Sequence, residues 1–581
     1  MARFSHRSTV VIAVVTGVIG VVVIGGLLVV SWLDTYRSAQ TTQSSLTALR
    51  SAFEARRWDD MSALLDAARV DSIALDSKTH GLPWRLLGFV PILGSSATAA
   101  ADLAESVDQV LTAAAPLLPY AERLVNRQLQ GDNGSLDLSS LQGAAPDLRR
   151  LGQALSDAEM RLDTADVSRS PQALADSVNQ VRELADSAAG PVTAAADLVT
   201  WGPGLLGADG QRNWLVLLQN PAEARGAGGF PGGFVTVSTR DGRIAVTGTG
   251  TSDDLTRSSI PDSVAPGDSK TLWGKRLQAW NTFNQSPHFP LTAELAAAGM
   301  AARGEPVSGV IAIDPRTVAA ILKVIGPVTA AGQTVTAQNA ERFFTVDVYS
   351  KFHDPARRDQ VTMDLVRAVL ARLLTTPLDP VALVDALRDP VSQGDVRIWS
   401  ARPKEERWLA STPAGGSLPD TPGPVVAVVT NNSAGSKMDA FLATSIDYQP
   451  GQCDAATGKS TLTVTLKNQA PEGLPKNTGV YDRYDDTRAA AGSTSTVLYL
   501  YPPVAANFMS ATVDGKTAGL YLGKERNRQV WYVYLPILQG QERTVQVEFG
   551  EPSVPGVEPE VITQSMVIPP QVRIEPTSLC G

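Results

Sequence analysis

The spacing of apolar positions changes along the chain and divides it into four parts. Residues 10–33 form an apolar run without charged residues, VVIAVVTGVIGVVVIGGLLVVSWL. At 1.5 Å per residue such a helix is about 36 Å long, enough to cross a hydrocarbon core of about 30 Å. Basic residues precede it at Arg3, His6 and Arg7 and should remain cytoplasmic. We predict a cytoplasmic tail at 1–9, a single-pass cell-membrane helix and an otherwise extracytoplasmic chain; a cleaved signal peptide is the alternative.

The second part, residues 34–203, repeats apolar residues at helical spacing. Leu151, Leu155 and Leu162 follow one another in steps of four and seven. A narrow apolar seam of this kind is typical of antiparallel bundles and coiled coils. We predict an extracytoplasmic helical bundle that forms a stalk and could support oligomerisation. The apolar segment 81–94 is interpreted as a hairpin tip, packed on the bundle or in contact with a membrane or a partner.

Mixed patterns follow from 204 to 448. Short apolar strands such as 213–218 and 307–313 alternate with helical stretches, one of which begins at Asp314-Pro315. Strands that alternate with helices predict an α/β layered domain with a partly parallel sheet.

The last part, residues 449–581, shows the alternation of strands. Val545 and Val547 are separated by a polar residue, and turn residues divide the runs. This pattern predicts an antiparallel β-sandwich. Cys453 opens this part and Cys580 nearly closes it, so an oxidising location would allow a disulfide between them.

Composition and charge narrow the range of functions. The chain has 43% apolar residues, and its 50 Lys and Arg against 59 Asp and Glu give a net charge of −9. An acidic chain has no overall electrostatic reason to bind nucleic acid. Four His and two Cys exclude zinc-finger and iron–sulfur scaffolds. The common protease, esterase and β-lactamase motifs are also missing from the sequence.

The densest group of polar residues directly follows the strand at 213–218. It reads QNPAEARGAGGFPGG and contains Asn220, Glu223 and Arg225. Open α/β sheets bind ligands at the carboxyl ends of strands, and glycines leave N–H groups accessible to an anion. The segment therefore predicts an oxyanion or phosphate site or, alternatively, a glycine-rich connection in which Glu223 and Arg225 pair.

Arginines at the start of a helix form a second candidate site. Arg357 and Arg358, followed by Gln360, fall in the first turn of a helix that begins at Asp354. Positive charge there opposes the helix dipole, but free N–H groups at the same place hold anions. These side chains could bind a phosphate or pair with neighbouring carboxylates.

Two more polar groups follow strands. Asp253 and Asp254 could hold a divalent cation such as Mg²⁺, or could be solvated loop acids. Asn431 and Lys437 follow an apolar strand at 425–429 and could belong to a site or to a turn.

The segment NWLVLLQNPAEARGAGGFPGG resembles a bacterial family of membrane-anchored proteins of unknown function, common in actinobacteria. Its mark is a strand followed by Q-N-x-x-E-x-R-x-x-G-G-F. The resemblance continues at WNTFN from Trp280 and at NNSAGSKMDAFL from Asn431, and covers about 205–581. Where that family tends to have Asp before Phe-Pro, this chain has His288.

A more distant resemblance is to the LytR–CpsA–Psr enzymes, which transfer glycopolymers from polyprenyl-pyrophosphate carriers to the cell wall. Arg225 matches their early Arg, Gly326-Pro327-Val328 matches a later turn, and Arg357-Arg358 with Gln360 approximates an Arg-x-x-Arg-Gln segment. Their metal-binding Asp is replaced here by the sequence FPGG. The resemblance implies a LytR–CpsA–Psr-like α/β domain that binds phosphate.

Together these patterns predict an envelope protein that binds a polyprenyl-phosphate-linked or other anionic glycopolymer and could transfer it to the cell wall as a phosphotransferase. The alternative is a non-catalytic envelope scaffold or adhesion protein that binds a partner. The predicted residues are Glu223, Arg225 and Asp254 for catalysis, Asn220, Arg225, Arg357, Arg358, Gln360, Asn431 and Lys437 for the ligand, and Asp253 and Asp254 for the metal.

Overall fold

The computed structural model describes residues 57–81, 94–125, 137–376, 380–451, 457–474, 480–552 and 557–575, with a few positions between 41 and 55. The chain divides into two compact units. Unit 1 consists of Met1–Gln211 with Thr239–Ile244, and unit 2 of Arg212–Ser238 with Ala245–Gly581.

Unit 1 is helical. On the helix α4 (Leu138–Asp163), Leu151 and Leu155 are fully buried and Leu162 is 2% exposed, so the apolar seam of the sequence forms the core between helices. The carboxylate of Asp137 caps α4 by accepting from the backbone N–H of Ser140 at 3.1 Å. The helices are α1 (Trp58–Thr79), α2 (Gly94–Ala114), α3 (Leu118–Val125), α4 (Leu138–Asp163) and α5 (Gln172–Leu205).

The structure does not support the predicted membrane helix, nor the fold class and the cell-membrane location that were predicted with it. Residues 1–9 and 10–33 lie outside the described part of the chain. Within that part, no helix is both long enough and apolar enough to cross a membrane. The longest, α5, has 34 residues but carries charged side chains along its length, including Arg182 and Asp197. Residues 82–93 of the predicted apolar tip also lie outside the described chain.

The strands of the structure form several sheets. In chain order they are β1 (Arg212–Arg225), β2 (Gly228–Arg240), β3 (Arg243–Thr251), β4 (Gly309–Ile313), β5 (Val328–Ala330), β6 (Gln333–Val335), β7 (Val396–Ser400), β8 (Val425–Asn432), β9 (Leu442–Gln449), β10 (Thr457–Asn468), β11 (Thr494–Tyr501), β12 (Asn507–Val513), β13 (Lys516–Thr517), β14 (Tyr521–Glu525), β15 (Arg528–Ile537), β16 (Glu542–Pro552), β17 (Glu560–Thr563) and β18 (Gln571–Ile574).

The first sheet has the order β3-β2-β1-β4-β7 and is mixed. β1 and β4 are parallel, with Trp214 opposite Gly309, whereas β4 and β7 are antiparallel. The turn between β2 and β3 places Asp241 at φ 50° and Gly242 at φ 75°. An Asp-Gly pair suits these positive angles, which two-residue hairpin turns require.

Helices lie between β3 and β8 along the chain. They are α6 (Ser252–Leu255), α7 (Gly267–Trp273), α8 (Phe289–Ala302), α9 (Pro315–Ile325), α10 (Ala340–Arg342), α11 (Val348–Lys351), α12 (Pro355–Thr375), α13 (Pro380–Ser392) and α14 (Pro403–Ala410). A π-helical segment, Phe343–Asp347, joins α10 to α11.

The C-terminal sheets have the orders β13-β12-β16-β10-β9-β18 and β14-β15-β11-β8-β17. They are not wholly antiparallel, because β17 pairs with β8, and β18 with β9, in parallel. The sandwich was predicted to begin at residue 449. β8 and β9 come before this point apart from Gln449, yet β9 belongs to the first of these sheets and β8 to the second. The predicted disulfide has no support: the described chain contains none, and Cys453 and Cys580 lie outside it.

Between β17 and β18 the chain is attached to the mixed sheet by a buried group of carboxylates. Ser565 donates from Oγ to Asp314 Oδ2 at 2.8 Å. Arg316 donates to the carbonyl of Met566 at 2.7 Å and to both carboxylate oxygens of Asp395 at 3.1 Å. Burial and the nearby charge of Asp395 raise the pKa of Asp314 to about 7.

Asp314 should make stability depend on pH. An unfolded aspartate titrates near pH 3.9, so between about pH 4 and pH 7 the folded protein binds a proton that the unfolded chain does not. Stability from this group is therefore present below pH 4 and is lost as pH rises to about 7. We expect Asp314→Asn to reduce the fall in the free energy of unfolding across this window, measured by urea unfolding with tryptophan fluorescence. Asp60→Asn, at a half-exposed surface carboxylate, is the control, and equal slopes in both variants would contradict the assignment.

Candidate functional site

The carboxyl half of β1 carries a buried ion cluster. Glu223 is 6% exposed and Arg225 is 5% exposed, and Arg225 Nη2 donates to Glu223 Oε1 at 2.7 Å. Lys437, from the loop after β8, donates to the other oxygen of Glu223. Burial by itself would raise the pKa of Glu223, but the charges of Lys437 and Arg225 outweigh it and hold the pKa below its usual value. Glu223 is therefore a carboxylate that balances two cations.

A second buried acid, Asp439, fixes the same loop to β1. Its Oδ2 accepts from the backbone N–H of Ala224 at 2.9 Å and from the side chain of Asn432 at 2.7 Å. Burial raises the pKa of Asp439 to about 7. The sequence analysis missed this residue. It could have been found from its position, because it is an acid two residues after Lys437, in a segment that already contained candidate site residues.

The glycine-rich segment after β1 is packed inside the protein. The backbone N–H of Gly226 donates to Asn431 Oδ1 at 2.9 Å, and the side chain of Asn431 donates to the carbonyl of Gln285 at 3.1 Å. A Cβ on Gly229 would lie 2.2 Å from the backbone of Asn220, so this glycine permits close contact between two chain segments. The glycines thus act as a tight connection, and Gly226 does not offer its N–H to an external anion.

Aromatic side chains and cations surround the cluster on its outer side. Lys437 Nζ lies 4.5 Å from the ring centre of Phe230 and 5.8 Å from that of Tyr349. Arg358 Cζ lies 5.0 Å from the ring centre of Tyr349. The hydroxyl of Tyr349 accepts a hydrogen bond from Asn220 Nδ2 at 2.7 Å. We call Phe230, Tyr349, Arg358 and Lys437 the cationic rim. Contacts of cations with ring faces hold these long side chains in defined positions.

Arg358 is only partly paired. Its Nη1 is buried and has no hydrogen-bond partner within the described structure. Asp359 beside it is half-buried, and burial raises the pKa of its carboxyl. The charge of Arg358 lowers this pKa, and the charge of Asp253 raises it. Arg358 therefore has a donor available for an acceptor supplied from outside.

Three of the predicted site residues are engaged elsewhere. Asp254 caps α6 by accepting from the backbone N–H of Thr251 at 2.9 Å. Arg357 is exposed and donates to Gln360 at 2.8 Å along the surface of α12. No group of three or more metal-ligating side chains occurs in the part of the chain that is described. The structure thus brings together Asn220, Glu223, Arg225, Arg358 and Lys437, with Asn431 behind them, and gives Asp254, Arg357 and Gln360 local roles.

Comparison with known proteins locates this region without assigning an activity. Residues 209–349 match a family described as "Protein of unknown function (DUF4012)". These residues therefore carry a domain of unknown function, as the sequence predicts. A comparison with curated proteins gives no match.

A solved structure from Legionella pneumophila, described as a "putative nutrient binding protein", is 7% identical. The alignment covers 22% of this chain and 44% of that chain, with a TM-score of 0.14. The chain thus spans less than half the length of that protein, and the likeness carries no argument about fold or function.

Substitution of Glu223 should destabilise the protein, because two buried cations then lack their negative partner. Glu223→Gln leaves Arg225 and Lys437 without a counter-charge, and we expect the free energy of unfolding to fall by about 3–5 kcal/mol. Lys437→Met should lower the free energy of unfolding less in the Glu223→Gln variant than in the wild type, because the two residues interact.

The matched control is Arg257→Gln, which breaks an exposed ion pair with Asp254. Such a pair contributes roughly 0–1 kcal/mol. Urea unfolding of the four variants and the wild type measures each value. Additive effects of the substitutions at 223 and 437 would show that the pair is not coupled.

Proposed function

We propose that unit 2 binds a phosphate group of a polyprenyl-phosphate-linked or other anionic glycopolymer at the cationic rim. The observation that carries this proposal is the unpartnered, buried Nη1 of Arg358 beside Tyr349 and Lys437. Guanidinium groups form paired, charge-assisted hydrogen bonds with phosphate oxygens. A phosphate placed there would supply the acceptor that Arg358 lacks.

The position of Arg358 supports the same ligand. It lies in the first turn of α12, a helix of 21 residues whose dipole favours negative charge at this end. Asp354 caps the helix by accepting from the backbone N–H of Arg357 at 3.2 Å, so the cap binds backbone and leaves the Arg358 side chain available.

The distant resemblance to the LytR–CpsA–Psr enzymes suggests the class of polymer. Transfer is less well supported than binding. Glu223 and Arg225, two of the predicted catalytic residues, neutralise each other inside the protein, and Asp254 caps a helix. We therefore propose recognition of the phosphate and do not propose a catalytic step.

Arg358→Gln should weaken binding of inorganic pyrophosphate and of farnesyl phosphate, a short polyprenyl phosphate, by about tenfold to a hundredfold. Loss of one charge-assisted hydrogen bond costs about 1.5–3 kcal/mol, and 1.4 kcal/mol corresponds to tenfold in affinity. Isothermal titration calorimetry of the whole protein measures both ligands.

Two further variants serve as controls for this experiment. Arg357→Gln tests the exposed neighbour in the same helical turn, and Arg257→Gln tests loss of a remote surface charge. We expect both to change affinity less than threefold, because a screened surface charge contributes under about 0.6 kcal/mol. Equal loss in all three variants would contradict a specific phosphate site, as would a wild-type protein that binds neither ligand.

A partner-binding scaffold is the second candidate. The edge strand β14 exposes Tyr521 and Leu522 by 58% and 68%, and Tyr534 on the neighbouring strand is 45% exposed. Exposed apolar groups of this kind commonly occur where proteins meet partners. Absence of phosphate binding together with a stable complex that requires these side chains would favour this function.

A further inference from the structure

A second group of arginines lies far along the sequence from the cationic rim, at the turn between β14 and β15. Arg526 and Asn527 form this turn with φ of 51° and 61°, and Arg528 begins β15. Such positive angles are unusual for a side chain as large as arginine. Burial lowers the pKa of Arg528, and the charge of Arg526 also lowers it, so the two guanidinium groups lie near each other.

Arg528 is a buried cation with neutral partners. Its side chain is fully buried, its Nε donates to the carbonyl of Pro419 at 2.9 Å, and its Nη1 donates to the carbonyls of Val425 and Pro502 at 3.0 Å. Its Nη2 is buried and has no hydrogen-bond partner within the described structure. No ion pair to Arg528 is formed there either. Burial of an arginine without a counter-charge is costly.

Arg526 has one exposed carboxylate as a partner. Its Nη2 donates to Asp420 Oδ2 at 3.2 Å, and the Asp420 side chain is 63% exposed. Its Nε is buried and lacks a partner among the described residues. Asp420 therefore contacts Arg526 directly, lies mostly in solvent, and acts on Arg528 only through space.

His288 adds a further unsatisfied donor. Its Nδ1 lies 3.2 Å from the backbone N–H of Leu418, and its Nε2 lies 2.9 Å from Arg526 Nη1. Burial, assisted by the charge of Arg526, lowers the pKa of His288 to about 3, so the ring is neutral. A neutral imidazole accepts through only one nitrogen and donates through the other. Whichever tautomer is present, one N–H therefore faces another donor.

We propose that Arg526, Arg528 and His288 form a binding site for a small monovalent anion of the halide class, such as chloride. One anion there would accept from the free N–H groups of Arg526 and Arg528 and would lie beside two guanidinium charges. Other acids act less directly: Glu294 and Glu560 interact with these arginines through space, and Asp268 accepts from the backbone N–H of Arg526. A water molecule would fill the acceptor role but would place no negative charge in contact with the fully buried Arg528.

The test measures the thermal unfolding midpoint of the whole protein at constant ionic strength. Chloride or bromide replaces gluconate, a six-carbon anion much larger than a halide. We expect a saturable rise of the midpoint in wild type, a loss of that rise in Arg526→Gln, and its retention in the control Arg257→Gln. A rise that is absent or unsaturable, or that persists in Arg526→Gln, would overturn the proposal.

A second measurement does not depend on a folded variant. Crystals of wild-type protein grown with bromide should show an anomalous peak in contact with the side chains of Arg526 and Arg528. A water molecule or an empty position there would overturn the site. Acetate is the third arm of the titration, because saturable stabilisation by acetate but not by halides would reject the halide assignment in favour of a carboxylate ligand.

Discussion

A carboxylate buried between two cations is the interaction on which the candidate site depends. Glu223 balances Arg225 in its own strand and Lys437 in the loop after β8, and neither cation could be buried there at low cost without it. The same pairing places the ammonium group of Lys437 near the rings of Phe230 and Tyr349. The position of Lys437 in the cationic rim is thus a consequence of its ion pair with Glu223.

Much of the local structure could be predicted from residue spacing. The leucines of α4, the Asp-Gly turn after β2 and the Asp-Pro start of α9 depend on neighbours a few positions away, and the structure places each as that local chemistry requires. The polar residues that follow apolar runs in the sequence made Glu223, Arg225 and Lys437 recognisable as candidates. The predicted strand 213–218 is too short, however, because β1 extends to Arg225 and contains the first two of these residues.

Features set by distant contacts could not be predicted in the same way. No periodicity reveals that Glu223 pairs with Lys437, 214 positions later, or that Asp439 accepts from β1. Alternation with period two indicates a strand but not its direction, so the parallel pairing of β17 and β18 was missed. Arg357 and Arg358 are adjacent in sequence, yet helix geometry sends one to the surface and the other onto Tyr349.

The parallel strand β17, which pairs with β8, has a consequence for synthesis of the chain. β8 is completed by β17, and the backbone of Thr430 bonds to Gln564 across 134 residues. At about 5–20 residues per second, the ribosome needs roughly 7–27 seconds to add that segment. During this interval β8 has an open edge, and open edges invite pairing with other chains. The topology therefore leaves β8 open to incorrect pairing until the C-terminal segment has been made, whatever the finished protein binds.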